Sequence, residues 1–213
     1  MRCTKVDMET YRRKDHFAYF SGLAYPYVGV TVNVEITGLR RAAKAHGWPF
    51  FLTLCYAVSH AANAVPEFRQ RMAGGGIVEF DWCPTSHTVA LDDGTYGYCA
   101  LDSRRPFGEY LPYAVRAQEA ARRRGTIVEE ADGALGCLFI STLPWLSYTS
   151  LIQPVPMPAD SNPRLTWGKF FEQDGRVLLP LSVLCHHELE DGVHIARFYE
   201  RLDAEIARLC GAP

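Results

Sequence analysis

The chain has 213 residues, 48% of them hydrophobic and 22% charged, which is ordinary for one globular protein. A net charge of −2 gives no electrostatic support for nucleic-acid binding, and no apolar run is long enough to cross a membrane. Seven scattered cysteines without a C-x-x-C pair, and no apolar leader after Met1, predict a cytoplasmic protein with reduced thiols. We predict a single domain over residues 1–213, with neither nucleic acid nor membrane as a partner.

The first third of the chain predicts mainly helices, with one strand between them. In order, these are a short polar helix Asp7–Phe17, a half-buried strand Val28–Ile36, a helix Gly38–His46 and a helix from Pro49 that stops before Pro66. Thr37 is suited to cap the second helix and Gly47 to close it, while Pro49 is suited to the first position of the third.

Strands dominate the rest of the chain. After a Gly74-Gly75-Gly76 turn we predict a strand Ile77–Asp81, a strand pair Ser86–Leu101, a helix Leu111–Arg124, and strands Gly136–Ser141, Leu146–Pro154, Leu165–Glu172 and Val177–Cys185. Apolar residues at helical spacing after Gly192 predict a final helix to about Leu209. Helices and strands intermixed in this way predict an α+β two-layer sandwich built on one large mixed sheet.

The stretch Leu178–Val193 is the best candidate for chemistry, because His186 and His187 stand where a buried strand gives way to a helix. They could be structural loop histidines, with Asp191 a plain helix cap. A zinc site is a weaker interpretation, since the H-E-x-x-H pattern requires a histidine at position 191. A third interpretation is a general base, because a neutral imidazole can take a proton from a hydroxyl or thiol.

The pattern His-His-x-x-x-Asp-Gly resembles the signature of acyltransferases that use coenzyme A or carrier-bound acyl groups. Further motifs point to one family among them: Arg13-Lys-Asp-His-Phe17, Pro66-Glu-Phe-Arg69, Ile140-Ser-Thr-Leu-Pro-Trp145, Leu165-Thr166 with Lys169, and Leu179-Pro-Leu-Ser182. In their order and spacing, from about residue 4 to residue 206, these resemble the chloramphenicol acetyltransferase family. The resemblance implies a large mixed sheet with helices packed on one face.

The resemblance also implies roles for individual residues. His187 would be the general base that deprotonates an acceptor hydroxyl, which then attacks the acetyl-CoA thioester directly. Ser141 would hydrogen-bond the tetrahedral intermediate, Thr166 would position a water, and Asp191 with Arg13 would form a structural ion pair. The positions that match the acceptor pocket are Tyr98, Ala100, Phe20 and Tyr19, and those that match the coenzyme A channel are Trp145 and Lys169.

The expected activity is therefore acetylation of the primary hydroxyl of chloramphenicol, which confers antibiotic resistance. The resemblance implies a homotrimer with active sites between subunits, acetyl-CoA as a co-substrate, and neither a resident cofactor nor a metal. Two alternatives stay open at this point. One is an acetyltransferase of the same fold acting on another hydroxylated small molecule, and the other is a catalytically inactive homologue that binds coenzyme A.

Overall fold

We describe residues 1–127 and 131–211 of a computed structural model of the chain. The helices are α1 (Lys14–Phe20), α2 (Thr37–His46), α3 (Phe50–Asn63), α4 (Phe107–Arg124), α5 (Ala131–Ala134) and α6 (Gly192–Cys210). The strands are β1 (Cys3–Lys5), β2 (Tyr27–Glu35), β3 (Gln70–Ala73), β4 (Gly76–Phe80), β5 (Thr85–Ala90), β6 (Tyr96–Leu101), β7 (Leu138–Leu143), β8 (Arg164–Gly168), β9 (Phe171–Gln173) and β10 (Arg176–His186). None of the described helices is long and apolar enough to span a membrane.

The larger sheet has the strand order β2-β10-β8-β7-β5-β6, with β9 paired to β10. Strand β10 runs antiparallel to β2 and β8, whereas β7 runs parallel to both β8 and β5. The sheet is therefore mixed, and the predicted α+β fold is confirmed. A smaller antiparallel sheet joins β1, β4 and β3, and its Gly74-Gly75 hairpin turn has positive φ at both glycines, as a type I′ turn requires.

The core lies between one face of the larger sheet and the helices. Leu179, Leu181 and Val183 alternate along β10 and are buried in the same apolar cluster as Phe198 of α6. Each such side chain contributes roughly 1.5–3 kcal/mol on burial. Ser182 of β10, Thr166 of β8 and Ser141 of β7 are in register, so their side chains lie in one row across the face of the sheet away from the core.

The predicted helices are largely confirmed, with three corrections, while the predicted strand Leu165–Glu172 is divided into β8 and β9. The first helix begins at Lys14 rather than Asp7, because the preceding residues form turns in which Asp7 side-chain oxygens accept hydrogen bonds from Glu9 and Thr10. Helix α4 begins at Phe107 rather than Leu111 and contains Pro112 in its interior. Thr37 is the first residue of α2 rather than its cap, while Gly47 closes that helix as predicted.

The predicted strand Leu146–Pro154 is wrong, because residues 144–163 form no strand. Instead, the Leu146 carbonyl accepts a hydrogen bond from the Lys169 N–H (2.7 Å), and the Tyr148 hydroxyl donates to the Thr166 carbonyl (2.9 Å). These contacts carry the segment across β8 as a loop. The prolines that follow Gln153 lack the N–H that a strand ladder needs.

Candidate active site

His187 follows β10 directly, in a turn whose backbone is well held. The N–H groups of Leu189 and Glu190 both donate to the His186 carbonyl at 3.0 Å, and the His187 N–H donates to the Pro26 carbonyl at 2.8 Å. The turn therefore fixes the half-buried imidazole to the end of a rigid, central strand.

The imidazole of His187 is held in one tautomer by the main chain. Its Nδ1 lies 2.8 Å from the Glu190 carbonyl oxygen, and because a carbonyl only accepts hydrogen bonds, Nδ1 carries the proton. Nε2 then has a free lone pair, and no partner for it is found among the described residues. The Phe20 ring stacks on the imidazole with centroids 3.8 Å apart. A neutral imidazole held in this tautomer presents Nε2 as the proton acceptor that a general base needs.

Arg13 and Asp191 form the ion pair that the resemblance implied. A guanidinium nitrogen of Arg13 bonds Asp191 Oδ2, and its second nitrogen donates to the His187 carbonyl at 3.3 Å. Asp191 Oδ1 accepts from the Val193 N–H at 3.0 Å and so caps α6. Burial by itself raises the pKa of Asp191, but the hydrogen bond from Arg13 and the nearby His194 outweigh it and lower the pKa. Asp191 thus braces the His187 turn rather than the imidazole.

We predict a measurable coupling between Arg13 and Asp191. The Arg13 side chain is 13% exposed and that of Asp191 30%, so the coupling should be about 2–3 kcal/mol, between typical exposed and buried pairs. The single variants Arg13→Ala and Asp191→Asn should each lower the free energy of unfolding and the activity at pH 7. Denaturant unfolding of both single variants and the double variant measures the coupling.

The pH dependence gives an internal control for this pair. Because the pKa of Asp191 is lowered in the folded state, its contribution is present above the unfolded pKa and is lost as the pH falls through the lowered value. The stability gap between wild type and Asp191→Asn should therefore narrow as the pH falls below about 4 and close only below the lowered pKa of Asp191. Additive effects of the two single changes at pH 7 would contradict the pairing.

Two buried titratable groups lie beside His187. Burial lowers the pKa of His186 to about 4, so this imidazole is neutral at pH 7. Burial raises the pKa of Glu190 well above its ordinary value, against the opposing charges of Arg71 and Arg13. Both carboxyl oxygens of Glu190 lack a hydrogen-bond partner among the described residues. An uncharged form of each group is the less costly one in this interior.

Ser141, Thr166 and Tyr98 line a separate cavity of about 500 Å³ on the polar face of the larger sheet. Ser141 of β7 lies beside Thr166 of β8, and Thr166 lies beside Ser182 of β10. The Thr166 hydroxyl donates to Gln153 Oε1 at 2.9 Å, which leaves its oxygen as an acceptor toward the cavity. Strand pairing thus places Ser141 and Thr166 side by side in the wall of the cavity.

His187 and Ser141 are far apart within one chain. Ser141 lies two strands from Ser182, which precedes His187 by five residues along β10. Strand spacing and rise place the two positions roughly 15–20 Å apart. No side chain spans that distance to act on one reacting group, so one chain alone does not assemble His187 and Ser141 into one site.

The remaining residues that were predicted for the site lie either beside His187 or on the surface of the chain. Phe20 contacts His187, and Tyr19 packs edge-on against Phe20. Ala100 is exposed on β6 and is not among the residues that line the cavity. Trp145 and Lys169 are both exposed, and the Leu146–Lys169 backbone hydrogen bond brings their segments together.

Sequence reasoning missed several residues of the cavity wall. Arg164 could have been found, because it alternates with Thr166 on one strand and so faces the same side of the sheet. Phe139 stands in the same relation to Ser141 on β7. Gln153 carried no such signal, because it lies in the loop that we predicted to be a strand.

Comparison with known proteins first places the fold. The cubic core of the pyruvate dehydrogenase multienzyme complex is 22% identical with a TM-score of 0.66, covering 96% of this chain and 91% of that one. A solved chloramphenicol acetyltransferase is much more similar, with a TM-score of 0.90, 29% identity, and coverage of 96% and 100%. The fold of this chain is thus the fold of a solved chloramphenicol acetyltransferase.

Sequence comparison then identifies the family. The family model described as "Chloramphenicol acetyltransferase" matches residues 1–203. Chloramphenicol acetyltransferase 2 of Escherichia coli is 31% identical over 207 residues, covering 95% of this chain and 96% of that protein, and a chloramphenicol acetyltransferase from a Klebsiella species is 28% identical over 202 residues, covering 93% and 91%. The chain belongs to the chloramphenicol acetyltransferase family, and it is an enzyme of the acyltransferase class.

Proposed function

We propose that the protein transfers an acetyl group from acetyl-CoA to the primary hydroxyl of chloramphenicol, with His187 as the general base. The observation that carries the proposal is the hydrogen bond from His187 Nδ1 to the Glu190 carbonyl, which leaves Nε2 ready to accept a proton. Because the chain belongs to the chloramphenicol acetyltransferase family, acetyl-CoA is the proposed acetyl donor and chloramphenicol the proposed acetyl acceptor.

The reaction requires one proton to move twice. His187 Nε2 takes the proton of the acceptor hydroxyl as its oxygen attacks the thioester carbonyl carbon, and a tetrahedral oxyanion forms. When that intermediate collapses, the C–S bond breaks and the new ester remains on the acceptor. The imidazolium returns its proton to the departing thiolate, so His187 ends neutral. No acetyl-enzyme intermediate is needed, because His187 acts only on protons.

Stabilisation of the oxyanion is assigned to the hydroxyl pair in the cavity. Ser141 would donate to the oxyanion, and the Thr166 oxygen would accept from a water bound beside it. Such donors act best when their positions are fixed before the reaction. The strand pairing of Ser141 and Thr166 and the hydrogen bond from Thr166 to Gln153 support this assignment, because they hold both residues in place.

Ser141→Ala tests the assignment. Loss of one oxyanion donor should lower kcat by about 100- to 1,000-fold, with little change in KM for either substrate. Steady-state kinetics with both substrates measures this, and Ser182→Ala is the matched control, since Ser182 lies in the same hydroxyl row but outside the cavity. A Ser141→Ala enzyme with near-native kcat would remove Ser141 from the chemistry.

We further propose that the working enzyme is a homotrimer in which His187 of one subunit completes the cavity of its neighbour. The separation of His187 from Ser141 within one chain supports a site shared between copies. The segment after β7 lines part of the cavity and exposes several large apolar side chains in the single chain, including Trp145, Ile152 at 95% and Met157 at 89%. Contact between subunits would bury such surface.

Trp145 and Lys169 would then contact coenzyme A, where the lysine offers a positive charge to a phosphate. The cytoplasmic location expected from the sequence agrees with acetyl-CoA as the donor.

A thiol-release assay tests the proposed function as a whole. Purified protein with acetyl-CoA and chloramphenicol should release one thiol per molecule of ester formed, and mass spectrometry with NMR should place the acetyl group on the primary hydroxyl. Activity only with another hydroxylated acceptor would support the alternative acetyltransferase. Absence of thiol release with any hydroxylated acceptor would indicate an inactive homologue.

A further inference from the structure

Arg164 places a charged side chain in the wall of the cavity. Among the described residues that line the cavity, Arg164 alone carries a charge, while the others are aromatic, aliphatic or neutral polar. Its side chain is only 12% exposed. A half-enclosed, mostly apolar cavity with one oriented polar group uses that group to select what binds.

The hydrogen bonds of Arg164 occupy only part of its guanidinium. Asp160 binds it in a two-point contact, Nη1 to Oδ1 and Nη2 to Oδ2, both 2.8 Å, and Nη1 also donates to the Asn162 carbonyl at 3.2 Å. A guanidinium has five N–H groups in a fixed plane. The Nε–H and the second N–H of Nη2 have no partner among the described residues. These two groups lie on the same edge of the plane and form a second fork.

The plane of this guanidinium is held from several sides. It lies 5.6 Å from the Phe139 ring centroid and 6.0 Å from that of Tyr27. The Tyr27 hydroxyl bonds Asp160 Oδ1 (3.1 Å) and the Asp160 main chain, so it fixes the partner carboxylate as well. Burial, and then the charge of Asp160, raise the pKa of Tyr27 to about 12, so the phenol keeps its proton. The fork is therefore positioned before a ligand arrives.

We propose that the Nε/Nη2 edge of Arg164 is a specificity determinant that binds a neutral, planar two-oxygen group of the acceptor, such as an aromatic nitro group. The two donors match two coplanar oxygens in geometry. A neutral group is preferred because Asp160 already balances the guanidinium charge, and a second carboxylate would be repelled. Tyr98 and Phe139 line the same cavity and offer faces for the aryl ring. The inference rests on the proposed function, since chloramphenicol carries a nitrophenyl ring.

Binding measurements separate this inference from the proposed function, because they require no turnover. Isothermal titration of the wild-type protein with chloramphenicol, and with analogues in which hydrogen or a carboxylate replaces the nitro group, should show the nitro compound binding about tenfold or more tightly than either. The key variant is Arg164→Lys, which keeps the charge beside Asp160 but removes the planar fork. In this variant the preference should fall toward equality.

Two further variants are included, one in case Arg164→Lys does not fold and one as a control outside the cavity. If Arg164→Lys does not fold, the double variant Asp160→Asn with Arg164→Leu removes both charges together and should also lose the preference. Arg69→Leu is the control, because Arg69 is similarly shielded and paired with Glu79 but does not line the cavity, and it should keep the preference.

Equal binding of the nitro compound and its hydrogen analogue to the wild-type protein, tighter binding of the carboxylate analogue, or no detectable binding of any of the three would overturn the inference. So would an unchanged preference in the Arg164 variants. If the wild-type protein shows the preference but releases no thiol with chloramphenicol, only the proposed function fails. If it acetylates all three acceptors alike and binds them alike, only the inference fails.

Discussion

His187→Ala is expected to lower kcat by about 100- to 10,000-fold while leaving the fold intact, because it removes the only proposed proton acceptor at the reacting hydroxyl. The side chain is half-buried in a turn held by main-chain hydrogen bonds, so its loss should cost little stability. Initial rates of thiol release, corrected for folded fraction by circular dichroism, measure the effect.

His186→Ala is the neighbouring control for this experiment. His186 is buried against Tyr27, its pKa is lowered to about 4 by burial, and no chemistry is assigned to it. Its removal should affect stability more than rate per folded molecule. A His187→Ala enzyme with near-native kcat, or equal loss of kcat in the two variants, would exclude His187 as the base.

Mixing two inactive variants is expected to restore activity. His187→Ala subunits keep Ser141, and Ser141→Ala subunits keep His187. If each site takes these residues from neighbouring copies, every trimer that contains both variants should hold an intact pair in about one third of its sites. Co-expression with two affinity tags, followed by thiol-release assays on doubly purified trimers, should thus recover about one third of wild-type activity.

The same experiment separates a shared site from a site within one chain. The double variant His187→Ala with Ser141→Ala, mixed with wild type, is the matched control, because doubly purified trimers would then keep about one sixth of the shared sites intact. Within one chain the double variant would instead leave about half of the sites intact. Doubly tagged trimers of the two single variants that show no activity above the residual rates would contradict the shared site, as would an active monomer.

Tautomer control by a carbonyl distinguishes this site from a Ser-His-Asp arrangement. An aspartate four residues after a catalytic histidine invites the interpretation that it orients the imidazole. Here both Asp191 oxygens are engaged elsewhere, by Arg13 and the Val193 N–H, while the Glu190 carbonyl holds Nδ1. The Glu190 carbonyl, rather than the Asp191 carboxylate, therefore sets the tautomer of the imidazole.

Much of the fold, and the residues expected at the candidate site, could be predicted from the sequence alone. The apolar run of β10 and the helical spacing after Gly192 are local patterns, and they predict which residues of these two elements are buried. Alternating valines predict the strand β2, but of these valines only Val34 is buried in the single chain. The His186-His187 pair and its matching motifs likewise lie within short segments. For this reason the resemblance could assign His187, Ser141 and the Arg13–Asp191 pair residue by residue.

The tertiary structure decided what depends on contacts between distant segments. The Leu146–Pro154 segment has strand-like apolar residues, but hydrogen bonds to Lys169 and Thr166 make it a loop over β8. The Arg164 guanidinium is oriented by Asp160, and Asp160 is held by Tyr27, which lies more than 130 residues away in sequence. Strand pairing also sets His187 and Ser141 apart within the chain. Such distances arise from the order of strands in the sheet, which residue spacing along the chain does not encode.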